Sequence, residues 1–142
     1  MTPAEVLAPQ PPPNADSPGL EVWPALIQES RRLMRGHPYA VMYELVLLDC
    51  EERHRQGVAR YGTPLRMRNG RDPRIDAYQE ALDLAAYLYQ AFLEGRGDYL
   101  LSRVGSAMEI ALRLRADLEG VSILEIGEPE PEKKSKKKGG AR

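Results

Sequence analysis

Proline placement constrains this chain more than any other sequence feature. Between residues 19 and 126 only Pro24, Pro38, Pro64 and Pro73 interrupt the chain, and each suits the edge of a helical segment. Proline fits the first turn of a helix, where its missing N–H is not needed, but breaks a helix interior. The intervals therefore predict four helices. The first runs from about Trp23 to Arg35, with Leu26, Ile27, Leu33 and Met34 as apolar positions and Gly36-His37-Pro38 as the stop. The second spans about Pro38 to Tyr61 and closes at Gly62 and Pro64. The third starts at Asp72-Pro73, where Asp caps orphan N–H groups, and reaches about Glu94 before Gly95. The fourth runs from Asp98 or Tyr99 to Glu119 and closes at Gly120. A short stretch, Val121 to Ile126, has β-like composition and no obvious partner strand. The expectation is an all-α four-helix bundle over residues 19–126.

The two ends differ from this body. Residues 1–18 hold six of the twelve prolines and few apolar anchors, so they read as a disordered, Pro-rich arm. From Gly127 to Arg142 the chain alternates Pro with Glu, becomes Lys-rich and ends in Gly-Gly-Ala-Arg, the composition of a flexible basic tail. That tail carries six basic against three acidic residues, or +3, so a net charge of −1 leaves −4 on the rest. No charge-free run approaches the roughly 18 residues of a membrane span, which excludes a transmembrane helix. The N-terminus lacks the basic start and apolar core of a secretory signal, and a lone Cys50 cannot form an internal disulfide, so a cytoplasmic protein is expected.

Acidic residues fall in an informative pattern. At about 100° per residue, Val41, Leu45 and Leu48 form an apolar stripe on the second predicted helix, and Asp49 and Glu52 continue it. Two acids are thus expected to point toward the core, where a carboxylate is costly unless paired or bound to a cation. Glu44 and Glu51 fall on the other side and read as solvent-facing. On the third helix Asp76, Glu80, Asp83 and Tyr87 follow at spacings of four, three and four, which puts them on one face. Alone, that face is simply the wet side of an amphipathic helix, because Ile75, Tyr78, Leu82, Ala85, Leu88 and Phe92 supply the apolar one. If Asp49 and Glu52 face Glu80 and Asp83, four carboxylates converge, and hard oxygen ligands without His or Cys favour Mg²⁺ or Mn²⁺ over Zn²⁺.

The connector between these helices, Arg60 to Asp72, contains Arg60, Arg66, Arg68 and Arg71 together with an Asn69-Gly70 turn. Guanidinium groups match phosphate oxygens in shape and charge, and glycines permit close backbone approach. The plain alternative is that these arginines only offset nearby carboxylates or sit in water. Acids for a metal beside arginines for an anion are the parts of phosphoryl or nucleotidyl chemistry.

Glu80-x-x-Asp83, preceded by an acidic pair one helix earlier, resembles the MazG-like all-α nucleoside triphosphate pyrophosphatases, whose motif is EExxE, a spacer, then ExxD. The first half departs from it: Glu51-Glu52-Arg53-His54-Arg55 lacks the final acid, and Asp49-x-x-Glu52 stands as the equivalent pair. The segments RYGTPL and NGRDPRIDAYQEALDLAAYLYQ are similar to small phage-encoded and bacterial members, among them the MazZ subgroup that acts on guanine deoxynucleotides. The resemblance covers roughly residues 38–95. It implies that Asp49, Glu52, Glu80 and Asp83 hold two or more Mg²⁺ or Mn²⁺ ions and are catalytic, with Asp49 or Glu52 as base. It further implies Asp76 as an outer ligand or sugar contact, Arg53, Arg66 and Arg71 on the phosphates, and Tyr61 and Asn69 near base or ribose. The substrate would be a nucleoside triphosphate, dGTP or GTP foremost, hydrolysed to monophosphate and pyrophosphate in phage nucleotide metabolism.

Other residues carry plainer expectations. Cys50 reads as a small buried hydrophobe, His54 as a surface side chain opposite Asp49, and Trp23 as a packing residue. The third helix has an apolar arc wider than half its circumference, which predicts a homo-oligomer; the family resemblance implies a dimer or dimer of dimers. Two alternatives differ in class. One is a non-enzymatic helical interaction module with a nucleic-acid-binding Lys-rich tail, although the body has no continuous basic face and no specific nucleic-acid partner is expected. The other is a metal-dependent nuclease or phosphatase using the same carboxylates.

Overall fold

A computed structural model describes residues 1–122. These residues form five helices, α1 (Pro3–Val6), α2 (Val22–Leu33), α3 (Ala40–Tyr61), α4 (Pro73–Leu93) and α5 (Tyr99–Glu119). Among the described residues there is no β-strand and only one isolated antiparallel bridge, between Glu21 and Arg66. The all-α class and the four long helices follow the proline intervals to within about two residues at each end. The far end of the β-like stretch and the whole basic tail lie outside the described residues. No described helix is long and apolar enough to cross a membrane.

The chain divides into two compact units. Among the described residues, one holds residues 8–73 and the other residues 1–7 and 74–122.

In the first unit, α2 packs against α3. Pro24 lies in the first turn of α2, and Arg31 and Arg32 sit in its last turn, where cations suit the helix dipole. α3 ends at Gly62, whose backbone is left-handed (φ 70°) and whose N–H donates to the Val58 carbonyl at 2.8 Å. Ile27 of α2 and Leu47 of α3 are buried. Arg31 ties the helices together, lying 3.3 Å from both the Glu44 and the Glu51 carboxylates. These bonds raise the Arg31 pKa, Glu44 contributing most.

The N-terminal arm, expected to be disordered, instead runs with the following residues 19–22 beside the connector and bonds to it. The Val22 N–H donates to the Leu65 carbonyl (2.9 Å), the Met67 N–H to Leu20 (3.0 Å) and the Asn14 N–H to Asn69 (2.7 Å). Ser17 Oγ donates to the Met67 carbonyl at 2.6 Å. Gln10 clamps Asp72 from both sides, donating Nε2 to its carbonyl (2.8 Å) and accepting its N–H (2.7 Å). A proline-rich segment has no internal hydrogen bonds, so its backbone groups are available to a neighbour. Gly19 makes the approach possible, because a Cβ there would lie 2.1 Å from the Met67 carbonyl oxygen.

In the second unit, α1 is a capping box: the Glu5 N–H donates to Thr2 Oγ1 (3.3 Å) and the Thr2 N–H to Glu5 Oε2 (2.6 Å). The Thr2 backbone and hydroxyl donors hold the Glu5 carboxyl below its usual range. Val6 is buried, and its carbonyl accepts from Gln79 Nε2 of α4 at 2.9 Å. The Met1 ammonium lies 3.0 Å from Glu119 of α5, and Arg115 donates to the Met1 carbonyl. α1 thus bonds to α4, and Met1 ahead of it to α5.

Two glycine substitutions should move stability in opposite directions. Gly19→Ala forces the arm off the connector and should cost roughly 1–3 kcal/mol. Gly57→Ala, within α3 and facing open space, should gain about 0.5–1 kcal/mol from helix propensity, both measured by urea unfolding.

Candidate functional site

The position of the α3 acids follows from which side of α3 meets α2. Glu44, Leu47, Glu51 and His54, spaced three, four and three apart, form the α2-facing stripe. Leu47 is buried, Glu44 and Glu51 bond to Arg31, and His54 is half-buried with Nε2 3.9 Å from Glu21. The expected inward stripe lies on another side: Val41, Leu45, Leu48, Asp49 and Glu52 are all exposed. Asp49 and Glu52 therefore do not point into the core, and no burial penalty acts on them. Periodicity groups these residues on one side of the helix, but it does not say that α2 packs against another side. Glu44 and Glu51, expected to face solvent, are about half exposed and also serve as the partners of Arg31. His54, expected on the surface, shares the buried side, and its Nδ1 is buried without a hydrogen-bond partner among the described residues. Cys50 and Trp23 are half-buried.

Glu52 receives Arg55 at 2.6 Å and Gln56 Nε2 at 3.0 Å. Asp49, Glu80 and Asp83 are exposed, and among the described residues their side chains enter no ion pair or side-chain hydrogen bond. On α4, Asp76 is half-buried, while Glu80, Asp83 and Tyr87 lie on the exposed face and Ala81 and Ala85 on the buried one. The α3 pair belongs to the first unit and the α4 pair to the second. Among the described residues, no group of three or more His, Cys, Asp or Glu side chains is close enough to hold a metal ion.

The connector residues are held by the arm, which composition alone did not reveal. Arg66 Nη2 lies 2.7 Å from Glu21, and its Nη1 donates to the Gly19 carbonyl at 3.2 Å. Arg71 Nη1 donates to the Pro11 carbonyl at 3.2 Å. Asn69 is buried; its Oδ1 accepts the Arg71 N–H at 3.1 Å and its carbonyl the Asn14 N–H at 2.7 Å, so this residue shapes the connector. Tyr61 is exposed with the Arg60 guanidinium 5.2 Å from its ring, a cation–π contact. Arg53 is exposed. The polar residues that punctuate the arm, Gln10, Asn14 and Ser17, were the available sign that it binds backbone.

The first unit also contains a groove of about 790 Å³ between α2 and α3, lined by Ile27, Arg31, Arg35, Glu51, His54 and Arg55 among others. Its arginines are largely answered by carboxylates: Arg31 by Glu44 and Glu51, Arg32 by Glu29, Arg55 by Glu52. No protein family, curated protein or solved structure matches the chain.

The orientation of α3 can be checked by stability. Leu47→Ala should cost roughly 2–4 kcal/mol, as for a buried leucine. Asp49→Asn should change stability by less than about 0.5 kcal/mol, both read from urea unfolding midpoints.

Proposed function

We propose that the chain is a nucleoside triphosphate pyrophosphatase dependent on Mg²⁺ or Mn²⁺, acting on guanine nucleotides, dGTP foremost, in phage nucleotide metabolism within the host cytoplasm. The observation that carries this reading is the succession of Asp49-x-x-Glu52 and Glu80-x-x-Asp83 on consecutive long helices, joined by an arginine-rich connector. The exposure of all four carboxylates supports it, because Asp49, Glu80 and Asp83 are available to a cation without loss of an existing partner. Glu52 would exchange Arg55 and Gln56 for the ion.

Each pair offers two oxygen ligands one helical turn apart. Mg²⁺ is commonly held by one or two carboxylates, with waters and substrate phosphates completing its shell, so the donors fit Mg²⁺ or Mn²⁺. They include none of the nitrogen or sulfur ligands that structural Zn²⁺ sites use. We assign two or more ions to these residues, with Asp76 as an outer ligand or sugar contact. When bound, such ions neutralise phosphate charge and make a nearby water more acidic.

Asp49 or Glu52 orients the attacking water and accepts its proton. The water oxygen bonds to the α-phosphorus, and the bond from that phosphorus to the bridging oxygen breaks. Pyrophosphate leaves with the electron pair, and the nucleoside monophosphate remains. Arg53 meets the phosphates as it stands, whereas Arg66 and Arg71 reach them by exchanging their bonds to Glu21, Gly19 and Pro11. Tyr61 is the candidate for base or ribose contact. The protein acts as a homo-oligomer, a dimer or dimer of dimers.

Purified protein incubated with each common ribo- and deoxyribonucleoside triphosphate plus Mg²⁺ or Mn²⁺, with products separated by ion exchange, tests the proposal. Monophosphate and pyrophosphate should appear in equal amounts from dGTP. Glu80→Ala should reduce the rate at least about 100-fold, more than a residue that merely supports a ligand. No turnover of any nucleotide overturns the reading and leaves the helical interaction module. Orthophosphate released stepwise indicates a phosphatase instead.

A further inference from the structure

Polar groups hold the seam between residues 10–22 and the connector, and both segments belong to the first unit. Among the described residues three polar side chains are buried, Ser17, Thr63 and Asn69, and all three lie in this seam. None of the buried apolar side chains belongs to residues 10–22 or 60–72. Ser17 Oγ donates to the Met67 carbonyl at 2.6 Å, the Asn14 N–H to the Asn69 carbonyl at 2.7 Å, and Thr63 Oγ1 to the Ala15 carbonyl at 3.5 Å. Opening an apolar seam exposes hydrocarbon to water, whereas a hydrogen bond is exchanged for another at small net cost. Residues 10–22 are thus docked by bonds that a polar ligand can replace, the kind of segment that opens locally while the rest stays folded.

The same stretch fills the connector arginines with oxygen atoms. Arg66 Nη2 lies 2.7 Å from Glu21 and its Nη1 donates to the Gly19 carbonyl at 3.2 Å, so two oxygens occupy the fork where a phosphate would place its own. Arg71 Nη1 donates to the Pro11 carbonyl at 3.2 Å. Between them, Arg68 is the one non-glycine residue with a left-handed backbone among the described residues (φ 56°), and Ser17 Oγ lies 3.3 Å from its carbonyl. Such a conformation persists where its surroundings enforce it. We propose that residues 10–22 are an autoinhibitory strap that competes with the triphosphate for Arg66 and Arg71. This regulation rests on the reading of those two arginines as phosphate contacts. With the strap docked, a carboxylate and two carbonyls hold the guanidiniums; with a triphosphate bound, anionic oxygens replace all three and the strap lifts. Release also lets the Arg68 backbone relax.

Metal-free pyrophosphate is the probe, and turnover plays no part in the readout. The N–H groups of Asn14, Val22, Met67 and Asp72 cross the seam. In the full wild-type chain at saturating pyrophosphate their hydrogen exchange should accelerate at least about threefold, while amides inside α5 keep their rate. Gln10→Ala combined with Ser17→Ala removes the side-chain bonds of the strap. That variant, with unchanged helical circular dichroism, should bind pyrophosphate at least about fivefold more tightly by calorimetry, because binding no longer waits on an opening. Ser106→Ala, whose hydroxyl bonds to Ser102 within α5, should leave the affinity unaltered. Seam amides that keep their exchange rate under pyrophosphate overturn the inference, as does a folded double variant that binds no more tightly than wild type. Where the double variant loses helix, the wild-type exchange decides alone. Hydrolysis of dGTP with unmoved seam amides leaves the proposed function standing without the strap; released amides without turnover of any nucleotide do the reverse.

Discussion

Which side of α3 meets α2 is the constraint on which the functional geography of the first unit depends. α2 presents a basic stripe with a single buried apolar residue, Ile27, and α3 offers it two choices. The more apolar side, with Val41, Leu45 and Leu48, would leave Arg31 against hydrocarbon. The side actually used buries Leu47 and gives Arg31 two carboxylates, Glu44 and Glu51. Burial of one leucine contributes about 1.5–3 kcal/mol, whereas exposed ion pairs contribute at most about 1 kcal/mol each. The leucine holds the helices together, and the arginine selects the rotation. That rotation turns Asp49, Glu52 and the apolar stripe away from α2 together.

The connector illustrates a second consequence of local chemistry. Its arginines look solvent-bound in the sequence, yet Pro11 of the arm holds Arg71, and Gly19 and Glu21 just after the arm hold Arg66. The arm reaches them only because Gly19 has no Cβ at the point of closest approach to Met67. In the proposed reaction, phosphate binding by these two arginines competes with bonds already made, whereas Arg53 is exposed from the start. An anion arriving at the connector therefore also acts on the arm.

Helix positions were legible because proline and glycine act locally: Pro73 opens α4, and Gly62 and Gly120 close α3 and α5 in left-handed conformations. On α4 the helical period put Glu80 and Asp83 on the side opposite Ala85, and in the structure both acids are exposed while Ala85 is buried. The inward placement of Asp49 and Glu52 was not, because an apolar stripe names a face without naming its partner. Glu44 and Glu51 are about half exposed, as their side of the helix suggested, but their pairing with Arg31 on another helix was not legible. The arm misled by composition: its prolines suggested disorder, while the tethering residues Gln10, Asn14 and Ser17 make long-range backbone bonds that composition does not encode.

The most direct measurement on the central claim is a double-mutant cycle between Arg31 and Glu51, with Arg31 and Glu52 as the control pair, read as unfolding free energies. Coupling of about 0.5–1 kcal/mol for Arg31 with Glu51, and none for Arg31 with Glu52, is the predicted result. Coupling to Glu52 in place of Glu51 would mean that the other side of α3 faces α2, and would contradict the account.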